Sequence, residues 1–248
     1  MDLQLSGARV LVTGGTRGIG RAIVAGFLAE GAVVEFCARD AAEIQATEAA
    51  LPGARGTVLD VADGPGLVAW VESAAGRLGG LDVVVSNVSA LAIGDGEENW
   101  RASFEVDLMG TVRLATAALP HLTESRGSIV AISSVSGREI DFTAGPYGVM
   151  KAAIVHYVQG LAYQLAATGV RANTVSPGNT YFEGGVWQQI ETGQPELFAS
   201  ALGLNPTGRM GTPEEMARAV VFLASPTSSF TSGTNLVVDG ALTRGVQL

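Results

Sequence analysis

The chain has 248 residues, 47% hydrophobic and 16% charged, with 33 glycines and a formal net charge of -9; its length is near the upper end of what one core organises, so a single domain spanning 1–248 is expected. Only 15 Lys and Arg stand against 24 Asp and Glu, which excludes the basic footprint that a nucleic-acid partner requires. One cysteine excludes an internal disulfide and two isolated histidines lack metal-ligand spacing, so a cytoplasmic protein without a metal site is expected.

In chain order, Met1 to Leu5 lacks the basic start and apolar run of a signal peptide, and no later stretch is apolar for long enough to span a bilayer; neither secretion nor a membrane partner is expected. Short β-branched runs at 9–13, 33–37, 57–59, 81–86, 128–133, 171–175 and 235–238 predict seven strands. Between them, apolar residues recur at three- and four-residue spacing over 19–30, 41–50, 65–78, 100–122, 147–167 and 213–223, which predicts crossover helices. Strands apolar on both faces and separated by helices imply a Rossmann-like doubly wound α/β fold, a parallel seven-stranded sheet with helices on both faces. Ligands then bind beyond the carboxyl ends of the strands. The alternation breaks over 179–210, where Tyr181, Phe182, Trp187 and Phe198 lie among glycines, prolines and amides. That stretch reads as a partly helical lid over a pocket, or else as an inserted loop packing its aromatics on the core.

Thr13-Gly14-Gly15-Thr16-Arg17-Gly18-Ile19-Gly20 follows the first strand and opens the first helix. Glycines there permit a tight turn and a close backbone approach to a pyrophosphate at the helix N-terminus, so Gly14, Thr16, Gly18, Ile19 and Gly20 are candidate dinucleotide contacts. The second strand ends Cys37-Ala38-Arg39, offering a cation where an acid would hold the ribose hydroxyls of NAD. Arg17 and Arg39 together favour NADP(H), with NAD(H) as the alternative, because guanidinium binds phosphate oxygens bidentately. Asp40 either caps the second helix or blunts that preference.

Tyr147 and Lys151 stand four residues apart near a helix start and so share one face, while Ser134 lies upstream at the end of the fifth strand. A phenol exchanges protons poorly at neutral pH unless a cation stabilises its anion, which Lys151 can do. His121 and His156 are read as structural, and Cys37 as a small buried hydrophobe.

With these motifs, Arg171-Ala172-Asn173 leading to Ser176-Pro177-Gly178, and Val238-Asp239-Gly240, the chain resembles the short-chain dehydrogenase/reductase family from end to end. The resemblance implies Tyr147 as general acid/base, Lys151 on the nicotinamide ribose, and Ser134 on the substrate oxygen. It also implies Asp60 and Val61 beside the adenine, Asn87, Val88 and Ser89 beside the nicotinamide ribose, and Pro177, Gly178 and Thr180 at the nicotinamide. Two departures stand out: Ser86-Asn87-Val88-Ser89 replaces the usual Asn-Asn-Ala-Gly, and Asp107 replaces the asparagine that supports a proton-relay water. Asp107 is kept as a catalytic candidate, acting through its backbone carbonyl or through a carboxylate near Lys151.

The implied activity is hydride transfer between nicotinamide and a medium-sized ketone or secondary alcohol. The alternatives are reduction of 3-oxoacyl thioesters on acyl carrier protein, NAD-dependent alcohol oxidation, and a non-catalytic dinucleotide-binding protein. Homotetramers are common in that family, and the small residues of 111–118 and 152–166 permit close helix packing, although core contact explains them equally well. The tail 241–248 is placed to reach a neighbouring subunit.

Overall fold

The computed structural model describes residues 2–246, so the last two residues of the tail expected at a subunit contact lie outside the described part. Seven strands, β1 (Arg9–Thr13), β2 (Val33–Ala38), β3 (Ala54–Val58), β4 (Val83–Ser86), β5 (Ser128–Ile132), β6 (Arg171–Pro177) and β7 (Asn235–Val238), form one sheet in the order 3-2-1-4-5-6-7. Every pairing is parallel. The order reverses between β1 and β4, which opens a crevice beyond their carboxyl ends.

Side chains alternate across the sheet, and both faces are buried. Leu11, Val84, Ile129, Ala131 and Ala172 meet α3 (Gly64–Leu78), α5 (Gly110–Ser125) and α6 (Pro146–Leu165). Val10, Val12, Val83, Val85, Val130, Ile132 and Val175 meet α1 (Gly18–Ala29) and α9 (Pro213–Ala224), with Ile44 of α2 (Ala41–Ala50) at the margin. A sheet covered on both sides leaves no polar face, which is why its strands read as continuous apolar runs.

Arg171 and Asn173 turn out to be structural. The Arg171 guanidinium donates to the carbonyls of Leu223, Ala224 and Ser225 at 2.5, 2.8 and 3.0 Å, closing the C-terminus of α9. The Asn173 amide donates to Thr231 O at 2.9 Å and accepts from Thr234 N at 3.1 Å, tying β6 to the chain entering β7.

Boundaries differ from the sequence reading where pairing or a helix defect decides them. β3 runs Ala54–Val58 rather than 57–59, because its register on β2 joins Val34 to Ala54 and Ala38 to Val58. The helix expected at 100–122 is broken into α4 (Glu97–Ser103), a π-helical turn (Phe104–Met109) and α5. A π turn inserts an extra residue into the ladder and re-aims the side chains within it; here it buries Asp107. The segment 179–210 contains α7 (Val186–Gly193) and α8 (Pro195–Gly203). Its aromatics form their own cluster: Trp187, Ala201 and Met210 are its buried centre, Tyr181 and Phe198 stack edge-on at 6.1 Å, and Trp187 and Phe198 at 6.4 Å.

At the start of α9, Thr212 and Glu215 form a reciprocal capping box. Glu215 also pairs with Arg209 at 2.6 Å. The Arg209 guanidinium, followed by the Thr212 N–H, pulls the Glu215 carboxyl down to about 2. A carboxyl lowered on folding contributes stability above its ordinary range and loses it as pH falls toward 2. Thr212→Ala is expected to lower stability by about 1 kcal/mol in urea unfolding at neutral pH, by removing the oxygen that accepts from Glu215 N.

Candidate active site

The turn after β1 is pinned on both flanks. Gly14 N and Gly15 N donate to Cys37 O at 2.8 and 3.2 Å, and Asn87 Nδ2 donates to the carbonyls of Thr13 and Gly14 at 3.1 and 3.2 Å. Gly14 sits at φ +72°, and a Cβ on Gly20 would lie 1.9 Å from Gly14 O, so these two positions fit only as glycine. Among the described residues no side chain caps α1: Arg17 is its N-cap residue and makes no capping hydrogen bond. Uncapped amides at a helix N-terminus suit an anion.

Beyond the strand ends lies a cavity of about 760 Å³. Gly14, Thr16, Arg17, Ile19 and Gly20 line it from the turn, Arg39 and Val61 from the chain after β2 and after β3, and Asn87, Val88 and Ser89 from the chain after β4. Ser134, Lys151, Pro177, Gly178 and Thr180 line the remainder. Gly18 instead faces an adjoining groove between α1, α2 and α9, where the Phe182 ring covers it. Asp60 is exposed, and its carboxylate accepts from Ala62 N at 2.9 Å.

Arg17 and Arg39 are both exposed, and neither forms an ion pair among the described residues. Asp40, whose role was open in the sequence, is the N-cap of α2: its Oδ1 accepts from Ala42 N at 2.8 Å and Glu43 N at 3.0 Å. Glu43 turns to the glycine turn and accepts from Thr16 Oγ1 at 2.8 Å. Cys37 lines the cavity from β2, and burial pushes its thiol up to about 12, leaving it little thiolate at neutral pH.

Gly145 at φ +114° and Pro146 start α6, and Tyr147 and Lys151 follow on one face. Lys151 is 2% exposed, its Nζ 5.6 Å from the centroid of the Tyr147 ring. That ammonium donates to Ile132 O at 3.1 Å and lies 3.1 Å from Asp107 Oδ1. Asp107 is wholly buried, and its Oδ2 accepts from Ala90 N at 3.0 Å. Its backbone carbonyl accepts from Thr111 Oγ1 at 2.7 Å, and that hydroxyl pairs with Ser86 Oγ at 2.8 Å. Of the two groups Asp107 offers, the carboxylate is therefore the one that meets Lys151. On the other side, Ser134 Oγ donates to Ser136 Oγ at 3.2 Å, and Ser136 Oγ to Asp141 Oδ2 at 2.6 Å.

One cavity residue that meets Lys151, Ile132, escaped the sequence reading. Ile132 acts through a carbonyl, which no side-chain pattern reveals. Phe182 and Trp187, named in the sequence as part of a segment that either covers a pocket or packs on the core, both line the cavity, with the Phe182 ring against Gly18.

The family profile described as enoyl-(acyl carrier protein) reductase matches residues 14–243. An isoepoxydon dehydrogenase from Penicillium expansum is 43% identical, the match covering 98% of this chain and 97% of the relative. An L-fucose dehydrogenase from Bos taurus is 36% identical, over 99% of this chain and 93% of the relative. Among solved structures, a short-chain dehydrogenase/reductase from Burkholderia xenovorans superposes with a TM-score of 0.90 at 31% identity, covering 96% of this chain and 97% of that one.

Proposed function

This chain belongs to the short-chain dehydrogenase/reductase family of oxidoreductases, which work with nicotinamide nucleotides, and from that premise we propose that it is an NADP(H)-dependent enzyme interconverting a medium-sized ketone and its secondary alcohol. The observation that carries this reading is the meeting of Ser134, Lys151 and the glycine turn in one cavity, with Tyr147 beside Lys151. Relatives named for dehydrogenation of isoepoxydon and of L-fucose support an alcohol–carbonyl substrate.

The residues fit a dinucleotide: α1 is uncapped, and glycine is required where backbone must approach. When bound, the nicotinamide supplies or accepts the hydride. Gly14, Thr16 and Gly20 with the first amides of α1 would hold the pyrophosphate. Val61 and Asp60 would flank the adenine, Asn87, Val88 and Ser89 the nicotinamide ribose, and Pro177, Gly178 and Thr180 would hold the nicotinamide. Ser134 donates a hydrogen bond to the substrate oxygen after turning from Ser136, and Tyr147 Oη gives that oxygen its proton in reduction or takes it in oxidation. Lys151 stabilises the tyrosinate left by reduction. Trp187 and Phe182, carried on the 179–210 segment, act as a lid that keeps water from the reacting atoms. We assign the enzyme to the cytoplasm, as a homotetramer.

NADP(H) is favoured over NAD(H) because two unpaired arginines border the cavity while the Asp40 carboxylate is occupied as a helix cap. Arg39→Ala is expected to weaken NADPH binding about tenfold or more in a fluorescence titration and to leave NADH binding nearly unchanged, since only the former has a 2′-phosphate. Equal affinities for the two in the unaltered protein would transfer the assignment to NAD-linked alcohol oxidation.

A further inference from the structure

Asp107 and Lys151 form a fully buried ion pair: Asp107 Oδ1 lies 3.1 Å from Lys151 Nζ without a hydrogen bond of its own, and Oδ2 accepts from Ala90 N at 3.0 Å. The π turn is what brings this carboxylate inward, and the carbonyl at the same residue is satisfied by the Thr111 hydroxyl. No other carboxylate competes for Lys151 among the described residues. Glu105 on the same turn pairs with Arg113 at 2.8 Å, and Asp141 in the chain after β5 is held by Ser136 and by Thr143 N and Oγ1. From β5 only the Ile132 carbonyl reaches the ammonium, and from α6 only the Tyr147 ring lies over it.

We propose that Asp107 is a positioning residue that sets the charge of the acid/base pair: its carboxylate holds a counter-charge against Lys151 and weakens the field that the ammonium exerts on Tyr147. This rests on the oxidoreductase reading above. Coulomb's law fixes the direction: a buried anion beside a cation reduces the cation's attraction for a nearby phenolate, and low polarity around the pair strengthens the effect. The carboxylate thereby tunes, through Lys151, how readily Tyr147 exchanges its proton with the substrate oxygen. Where a neutral amide occupies this position, the ammonium acts on the tyrosine undiminished.

Asp107→Asn keeps the shape and an oxygen for Ala90 N but removes the charge. The acid limb of kcat/KM against pH, measured for oxidation of a secondary alcohol with NADP+, is expected to move about one pH unit lower in the variant. Reduction at pH 7 is expected to slow several-fold. Superposable profiles for the two proteins overturn the proposal. A second measurement needs no turnover: Lys151→Met leaves a buried carboxylate unpaired and is expected to lower Tm by about 5 °C or more, and adding Asp107→Asn to it is expected to restore most of that loss. Additive effects on Tm overturn the coupling. Failure of the unaltered protein to bind dinucleotide or reduce any ketone sinks the oxidoreductase reading instead, and the Tm cycle still reports on the pair.

Discussion

Tyr147→Phe is expected to lower kcat/KM for ketone reduction about 10³-fold while leaving NADPH affinity within a factor of about three. The substitution removes one oxygen and nothing else. The phenyl ring keeps its place over Lys151, whose ammonium lies 5.6 Å from the ring centroid and stays held by Ile132 O and Asp107. The cradle is equally untouched, because the glycine turn is fixed by Cys37 O and Asn87, away from α6. Loss of turnover with retained binding therefore isolates the proton transfer. Ser134 remains able to polarise the substrate oxygen, which accounts for a residual rate above solution. Steady-state kinetics with NADPH and the best ketone of a screen, together with fluorescence titration, make the measurement. Undiminished turnover would remove Tyr147 from the chemistry. A protein that binds dinucleotide but turns over nothing, with or without the hydroxyl, would instead be a binding module.

Local features of this fold were legible in the sequence, and features that depend on contact between distant segments were not. The glycine turn, the Tyr147–Lys151 spacing and the seven β-branched runs each express a short-range rule: a backbone conformation, a helical period or an apolar strand. Asp40 shows where such rules stop. Its position admitted both a capping and an electrostatic role, and only the hydrogen bonds to Ala42 N and Glu43 N decide for the cap. The π turn at Phe104–Met109 hides in the sequence because its residues keep a helical apolar pattern; the inserted residue changes only which side chains point inward. The resemblance alone placed Asp107 in the site, and which of its two groups meets Lys151 became legible only from the contacts of the carboxylate and of the carbonyl. Phe182 over Gly18 illustrates the same limit, since those residues meet only after five further strands, β2 to β6, have been laid down. Boundary shifts such as that of β3 have a similar origin, because the register on β2, not strand propensity, determines where pairing starts.

Gly20→Ala is expected to lower stability by about 2 kcal/mol and to weaken NADPH binding more than about tenfold, against the sign that helix propensity alone would give. Gly20 lies inside α1, where alanine is favoured over glycine by about 1 kcal/mol. The new methyl, however, would fall 1.9 Å from Gly14 O and 2.5 Å from Asn87 Nδ2. Neither neighbour can retreat cheaply: Gly14 is held by Cys37 O on one side and by the Asn87 amide on the other. Relief requires moving either the turn or the start of α1, and overpacking of this kind typically costs about 1–3 kcal/mol. Both movements displace the backbone that would hold the pyrophosphate, so binding falls with stability. Gly76→Ala supplies the control, because that residue is an exposed member of α3 and an added methyl there would have no neighbour within 4 Å. There the propensity term acts alone, and urea unfolding is expected to show a gain of about 0.5–1 kcal/mol with unchanged NADPH affinity. Equal behaviour of the two variants would mean that the turn is compliant, and the close approach of Gly20 to Gly14 would lose its role in shaping the cofactor site.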